Sequence, residues 1–252
     1  LFFLATMREN GARRVTAIVP YFAYARKDRQ TKTRDPVTTR YVAELLEAVG
    51  TDALVTMDVH NIVAYQNAHR CRALHLDTRQ LFAERAAALV GDDKVVVASP
   101  DPGGVNRAQL FRATFEATLG RPVGSAFMEK QRSAGVVSGS HLVGELDGAT
   151  VLVIDDLISS GGTMVRAAKA CREHGARMVY AFAGHGLFVG DAATALADTN
   201  INGTFVTDTV PSFRLGSDVE QAGLETISAA PLFAQAISRL NTDESIADLL
   251  NW

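Results

Sequence analysis

VLVIDDLISSGGT, residues Val151 to Thr163, decides how the rest of the chain is read. Val151–Ile154 is a run of four apolar residues, the pattern of a strand buried on both faces of a parallel sheet. Asp155 and Asp156 stand where that strand is expected to end. Ser159, Ser160, Gly161, Gly162 and Thr163 make a loop of small residues, and a helical pattern runs from Met164 to a C-cap at Gly175. Strand, glycine-containing loop and helix N-terminus together form an anion site, because backbone N–H groups point outward there and the helix dipole favours negative charge. No Gly-Lys-Ser/Thr follows the glycines, so this is not a P-loop, and the spacing is not G-x-G-x-x-G. The carboxylates would repel a phosphate and must face something else. Vicinal hydroxyls of a sugar suit them, since carboxylates accept hydrogen bonds from hydroxyls well. The reading is a sugar-phosphate site, with phosphate on the loop and helix and ribose on the aspartates. The bland alternative is an ordinary strand–loop–helix turn with Asp as a cap.

The bulk numbers narrow the class. A chain of 252 residues is long enough for one large domain or two small ones. Hydrophobic content of 47% and charged content of 21% are those of a soluble globular protein. A net charge of −3 leaves no broad basic footprint, so nucleic-acid binding is not expected. The two cysteines, Cys71 and Cys171, have no metal spacing, and a reduced, cytoplasmic protein is the default expectation. No apolar run reaches membrane-spanning length. The apolar start Leu1–Leu4 is short and followed by Arg8 and Glu9, so it is not expected to be a signal peptide. Because the chain opens on Leu1 inside a helical pattern, upstream residues are expected to be missing.

Outward from the opening stretch, strands and helices alternate, which argues an α/β fold with largely parallel sheets. Leu1–Asn10 reads as a helix and Val15–Val19 as a buried strand. An aromatic segment then leads into the charge cluster Arg26-Lys27-Asp28-Arg29, either a solvated loop or a nucleotide-phosphate clamp. Strand Ala53–Met57 delivers Asp58 and His60 to its carboxyl end, where ligands of open α/β sheets sit. Asn61–Leu76 carries no clear pattern, and its His69 and His75 are given no role. Strand Lys94–Ala98, then Ser99-Pro100-Asp101-Pro102-Gly103-Gly104 and a helix to Leu119, repeats the strand–acid–glycine–helix layout. Gly103 and Gly104 are expected to offer amides to an anion, with Arg107 one turn on, and Asp101 could hold a divalent cation through one oxygen. Val123–Met128 is a strand, and Glu129–Ser140 a mobile flap with Lys130 and Arg132, or else a surface hairpin with a charged tip. Leu142–Leu146 and Val151–Ile154 are expected to form a hairpin about Asp147-Gly148.

The Asp155–Thr163 element resembles the phosphoribosyl diphosphate loop of the type I phosphoribosyltransferase fold. With it, IVPYFAYARKDRQ (Ile18–Gln30), MDVH (Met57–His60), SPDPGGVNRA (Ser99–Ala108), MEKQR (Met128–Arg132), GHGLF (Gly184–Phe188) and TDTVP (Thr207–Pro211) resemble, in order, the ribose-phosphate pyrophosphokinase family. The resemblance covers nearly the whole chain, and the ordered set is more specific than any one motif. It implies two type I phosphoribosyltransferase-like domains, each a parallel sheet flanked by helices, here residues 1–78 (incomplete at its start) and 79–252. It implies transfer of the diphosphoryl group of magnesium-ATP to the 1-hydroxyl of ribose 5-phosphate, giving phosphoribosyl pyrophosphate and AMP, in a cytoplasmic homo-oligomer of nucleotide biosynthesis. Carried over by motif, Arg26 and Lys27 would touch ATP, and His60 and Asp101 would bind Mg2+. Lys130 and Arg132 would lie on the catalytic loop, Asp155 and Asp156 would hold ribose hydroxyls, and Ser159, Ser160, Gly161, Gly162 and Thr163 the 5-phosphate.

The chain departs from the family pattern in three places. Arg26-Lys27-Asp28-Arg29-Gln30 stands for Arg-Gln-Asp-Arg-Lys, Asp58-Val59-His60 stands for Asp-Leu-His, and Asn61–Leu76 lacks the Gln-rich, Phe-Phe, Pro pattern. Two other readings compete: a phosphoribosyltransferase, which would use the Asp155–Thr163 loop alone, and a catalytically silent regulatory subunit.

Overall fold

A computed structural model describes residues 1–133, 136–219 and 223–250, with the side chains of all of these except 130–141 and 217–219. The chain divides into two compact units, Leu1–Asp77 with Leu232–Trp252, and Thr78–Pro231. Among the described residues no helix is long and apolar enough to cross a membrane.

In the first unit, helix α1 (Phe2–Glu9) precedes strand β1 (Thr16–Ile18), helix α2 (Thr38–Ala48), strand β2 (Ala53–Met57), helix α3 (Ile62–Ala68) and strand β3 (Arg72–Leu76). The three strands form a parallel sheet in the order β1-β2-β3. Every residue of β2 is buried, as the middle strand of a covered parallel sheet must be. Phe22 and Tyr65 meet edge-to-face at 5.5 Å over this core. The stretch Asn61–Leu76, unreadable in sequence, is thus α3 and β3, with Asn61 accepting from the Ala64 N–H as a helix N-cap.

The second unit runs through helix α4 (Arg79–Val90), strand β4 (Val95–Ser99), helix α5 (Val105–Leu119), strand β5 (Gly124–Ser133), strand β6 (Val136–Val143), strand β7 (Thr150–Ile158), helix α6 (Gly162–Glu173), strand β8 (Met178–Gly186), helix α7 (Ala192–Leu196), strand β9 (Gly203–Thr207) and strand β10 (Leu224–Ile227). Its seven strands are ordered β10-β9-β8-β7-β4-β5-β6. All pairs are parallel except β5 with β6. Alternate residues of β7 serve two cores. Val151 and Val153 pack with Met164, Ala167 and Cys171 of α6. Leu152 and Ile154 pack with Phe82 of α4 and Phe111 of α5. That double burial is why the strand reads as an unbroken apolar run.

The last helices, α8 (Ala230–Asn241) and α9 (Ala247–Leu250), bring the chain back to the first unit, where α9 packs on β3. An ion pair joins Arg239 to Asp248, and Arg14 donates to Asp243 at 3.0 Å.

Two expectations about the second unit are corrected. The hairpin about Asp147-Gly148 does not form, because β6 pairs with β5 while β7 lies between β4 and β8. A local turn signal says nothing about which strands become neighbours, and burial on both faces draws β7 to the centre of the sheet. The strand expected to stop at Met128 continues as β5 to Ser133 and pairs antiparallel with β6.

The C-terminus of α6 ends in a Schellman arrangement: Gly175 N–H donates to Arg172 O at 3.0 Å and Ala176 N–H to Cys171 O at 3.0 Å. Gly175 has φ +85°, and a Cβ there would stand 2.6 Å from Asp147 Oδ1 and 3.1 Å from Asp147 Cα. The Gly175 carbonyl in turn accepts from Gly148 N–H at 2.9 Å, tying the turn to the segment that enters β7. Gly175→Ala should therefore destabilise the protein by about 1–3 kcal/mol, the left-handed penalty plus the clash. Denaturant unfolding of wild type and variant checks this through the shift in midpoint at unchanged slope.

Candidate active site

Chain direction in the larger sheet reverses at one place. From β4 the chain steps through α5 to β5 on one side, and from β7 through α6 to β8 on the other. The carboxyl ends of β4 and β7 are neighbours, with Ala98 in register with Val153. Ligands of open α/β sheets bind in the crevice at such a switch point. The two strand–acid–glycine–helix segments converge there.

The acidic pair lies inside β7, since pairing with β8 continues to Ile158. Asp156 N–H donates to Asp155 Oδ1 at 2.9 Å. From α5, Arg107 Nη1 approaches Asp156 Oδ1 at 3.4 Å and Asp155 Oδ1 at 3.8 Å. Its guanidinium therefore faces carboxylates as well as the anion place read from the sequence. Burial raises the Asp155 carboxyl well above the usual range, the neighbouring Asp156 charge and hydrogen bond push it further, and Arg107 opposes both.

Asp101 Oδ1 accepts from Gly104 N–H at 3.0 Å, and Ser99 Oγ donates to Asp101 O at 2.6 Å. The Gly104 amide expected to be open to an anion is therefore occupied by Asp101. The 3-10 turn Pro102–Gly104 is too tight to turn that N–H outward.

Ile158 O accepts from Leu187 N–H at 2.9 Å and Ser159 O from Val189 N–H at 3.0 Å, so these loop carbonyls are held against the segment after β8. Gly161 begins α6 with φ +79°, and a Cβ there would stand 2.9 Å from Ala195 Cβ, so only glycine fits without movement. No side chain caps α6 and no acidic residue lies in its first turn. The first N–H groups of a helix have no intrahelical partner. Ser159, Ser160, Gly161, Gly162 and Thr163 thus present a helix N-terminus one strand-end away from two carboxylates.

Sequence reasoning passed over a buried network beside this loop. His185, at the end of β8, is 2% exposed, and its Nδ1 lies 2.6 Å from Thr209 Oγ1. Thr207 Oγ1 donates to Gly184 O at 2.6 Å and stands 2.8 Å from Thr209 Oγ1. Thr209 Oγ1 also lies 3.3 Å from Gly184 O, so both hydroxyls share that carbonyl. The signal was the placement of GHGLF and TDTVP at adjacent strand ends.

In the first unit, Lys27 Nζ donates to Asp35 Oδ2 at 2.6 Å. Thr31 Oγ1 and the N–H groups of Thr31 and Lys32 converge on the same oxygen at 2.7, 3.1 and 2.9 Å. Lys27, followed by Thr31, holds the Asp35 carboxyl far below the usual range. Lys27 therefore closes its own loop, whereas Arg26 is exposed. Phe22 is core, 2% exposed, and Tyr24 is open at 66%. Asp58 is buried with φ +42°, Val59 N–H donates to His75 Nε2 at 3.1 Å, and Asn61 Nδ2 donates to Asp28 Oδ2 at 2.7 Å. His60 is thus carried on a turn that β3 and the charged loop both hold, a positioning duty for His75 that sequence did not reveal.

Lys130 and Arg132 lie on β5, and their side chains are outside the described residues. Burial is the main cause that raises both thiols, Cys71 to about 11 and Cys171 to about 12, which makes each a poor nucleophile at neutral pH.

The raised Asp155 carboxyl sets a pH dependence. A carboxyl whose folded pKa exceeds its unfolded value favours folding below the unfolded value and loses that contribution as pH rises through the folded one. Asp155→Asn keeps an acceptor for Asp156 N–H and adds a donor for the Asp156 carboxylate. The variant should melt higher than wild type at about pH 8, by roughly 2–6 °C, and the difference should shrink toward about pH 4. Thermal unfolding across that range checks the sign.

Three family models match the chain: the N-terminal domain of ribose phosphate pyrophosphokinase over residues 1–50, the phosphoribosyl transferase domain over 65–185 and the phosphoribosyl synthetase-associated domain over 137–251. The chain is 36% identical over 252 residues to the ribose-phosphate pyrophosphokinase of Caldanaerobacter subterraneus subsp. tengcongensis, covering 99% of this chain and 76% of the relative. It is likewise 36% identical over 248 residues to that of Vibrio parahaemolyticus, with 97% and 76% covered. The crystal structure of phosphoribosylpyrophosphate synthetase from Mycobacterium smegmatis superposes with a TM-score of 0.85 at 31% identity, over 96% of this chain and 76% of that one. The chain belongs to the ribose-phosphate pyrophosphokinase family.

Proposed function

We propose that this ribose-phosphate pyrophosphokinase makes phosphoribosyl pyrophosphate by moving the diphosphoryl group of magnesium-ATP onto the 1-hydroxyl of ribose 5-phosphate, with release of AMP. The observation that carries the reading is the pairing of an uncapped helix N-terminus with two buried carboxylates at the switch point. Asp155 and Asp156 accept from ribose hydroxyls, and Arg107 keeps the pair from repelling itself apart. Ser159, Ser160, Gly161, Gly162 and Thr163 hold the 5-phosphate through backbone N–H groups.

Arg26 contributes a cation to the ATP phosphates, and Lys27 acts by ordering the loop that carries it. Lys130 and Arg132 bring two further cations to the transferring group. Phosphoryl transfer asks for positioning and charge neutralisation more than for covalent participation.

The residues fit magnesium to the extent that one carboxylate oxygen of Asp101 is taken by Gly104 N–H and the other remains for an ion. Among the described residues no group of three or more His, Cys, Asp or Glu side chains could hold a metal. Magnesium is commonly held by one or two protein groups, with water and substrate phosphates completing its octahedron. His60 and Asp101 are the residues assigned to it. Bound there, magnesium would neutralise charge on the triphosphate.

AMP should form from ATP only when ribose 5-phosphate is present. AMP release independent of the sugar would sink the reading. Lys130→Ala should lower kcat by about 10³-fold with little change in the KM for ribose 5-phosphate, the size expected when a cation acting on transition-state charge is removed. Steady-state kinetics of the variant decide it, and near-normal turnover would take Lys130 out of the mechanism.

A further inference from the structure

We propose that Arg166, which lies outside every motif quoted above, selects the phosphorylated end of ribose 5-phosphate; this rests on the placement of the 5-phosphate at Ser159–Thr163. Helical side chains lean toward the N-terminus of their helix, so a long side chain one turn in reaches the helix end. Arg166 does so. Its Nη2 donates to Thr163 Oγ1 at 3.2 Å. Its Nη1 stands 3.5 Å from where a Cβ on Gly162 would be, so the guanidinium lies over the bare glycine. Among the described residues its side chain has no carboxylate partner, and Thr163 is what it meets.

The other arginine of the same helix behaves in the opposite way. Arg172 donates to Asn200 O and Ala176 O at 3.2 Å, at the negative end of α6, where a cation suits the dipole. Arg166 instead adds positive charge to the positive end, where no side-chain cap and no acidic residue offsets it. That arrangement is unfavourable alone and favourable with a dianion in place. A phosphate can take loop N–H groups on some oxygens and the guanidinium fork on others, in charge-assisted bonds. Arg166 is exposed, and its bond to Thr163 leaves the rest of the fork open to an incoming phosphate. Arg166 acts at the sugar's phosphate end and has no part in the diphosphoryl step.

The test is steady-state kinetics of the full chain. Arg166→Gln should raise the KM for ribose 5-phosphate about 10-fold or more, with kcat and the KM for ATP within about twofold of wild type. Arg166→Lys should recover most of the loss. The KM for ribose 5-phosphate should rise less steeply with added KCl in Arg166→Gln than in wild type, because a charge contact has gone. A merely structural role would not move that slope. If the Gln variant folds poorly, Arg166→Met gives the same reading. An unchanged KM in Arg166→Gln, or equal losses for ATP and ribose 5-phosphate, would overturn the proposal. Asp155→Asn run beside it separates the two ideas: weakened ribose 5-phosphate binding there with an unaffected Arg166→Gln removes Arg166 alone. Normal binding in both removes the sugar-phosphate site as well.

Discussion

Two carboxylates side by side in a buried strand end repel one another, and the site is organised around containing that repulsion. Asp155 and Asp156 lie next to a double-sided apolar core, where an ion is poorly solvated. Arg107 offsets the charge from α5, and the Asp156 N–H bonds back onto Asp155. The residual cost remains as a raised Asp155 carboxyl. Replacing one aspartate would relieve that cost.

The same constraint explains the layout around it. A phosphate could not sit on these carboxylates, whereas the start of α6 has no side-chain cap and no acidic residue in its first turn. Loop carbonyls, which would also repel an anion, are turned away and bonded to Leu187 and Val189. Acidic oxygens on β7 and the N–H groups that begin α6 thus belong to one strand–loop–helix turn. A sugar phosphate, with hydroxyls at one end and oxyanions at the other, matches that arrangement.

Charged residues near a site do not all serve it directly. Lys27 and Asp35 form a closed knot with Thr31 and Lys32. Asp101 spends one oxygen on its own turn. Arg107 faces acids, and Arg166 crowds a helix N-terminus. The distinction between a cation already paired and one aimed at open backbone amides separates scaffolding from ligand contact here.

Local chemistry was legible in the sequence. The apolar run before Asp155, the small loop with Gly161 and the helix to Gly175 follow from short-range rules of burial period, backbone freedom and capping, and the structure has each. So does the repeated layout at Asp101, and the order of the motifs carried the family. Non-local pairing was not legible. The centre position of β7, the β5–β6 pairing and the grouping of α9 with β3 depend on which buried faces match across the chain. The same holds for partners: Lys27 with Asp35, Gly104 with Asp101 and Arg107 with the acidic pair were set by side chains meeting in space. Sequence determined which groups were available and what each could bond. The tertiary structure decided which were already satisfied, because a buried polar group takes the nearest partner the fold brings to it.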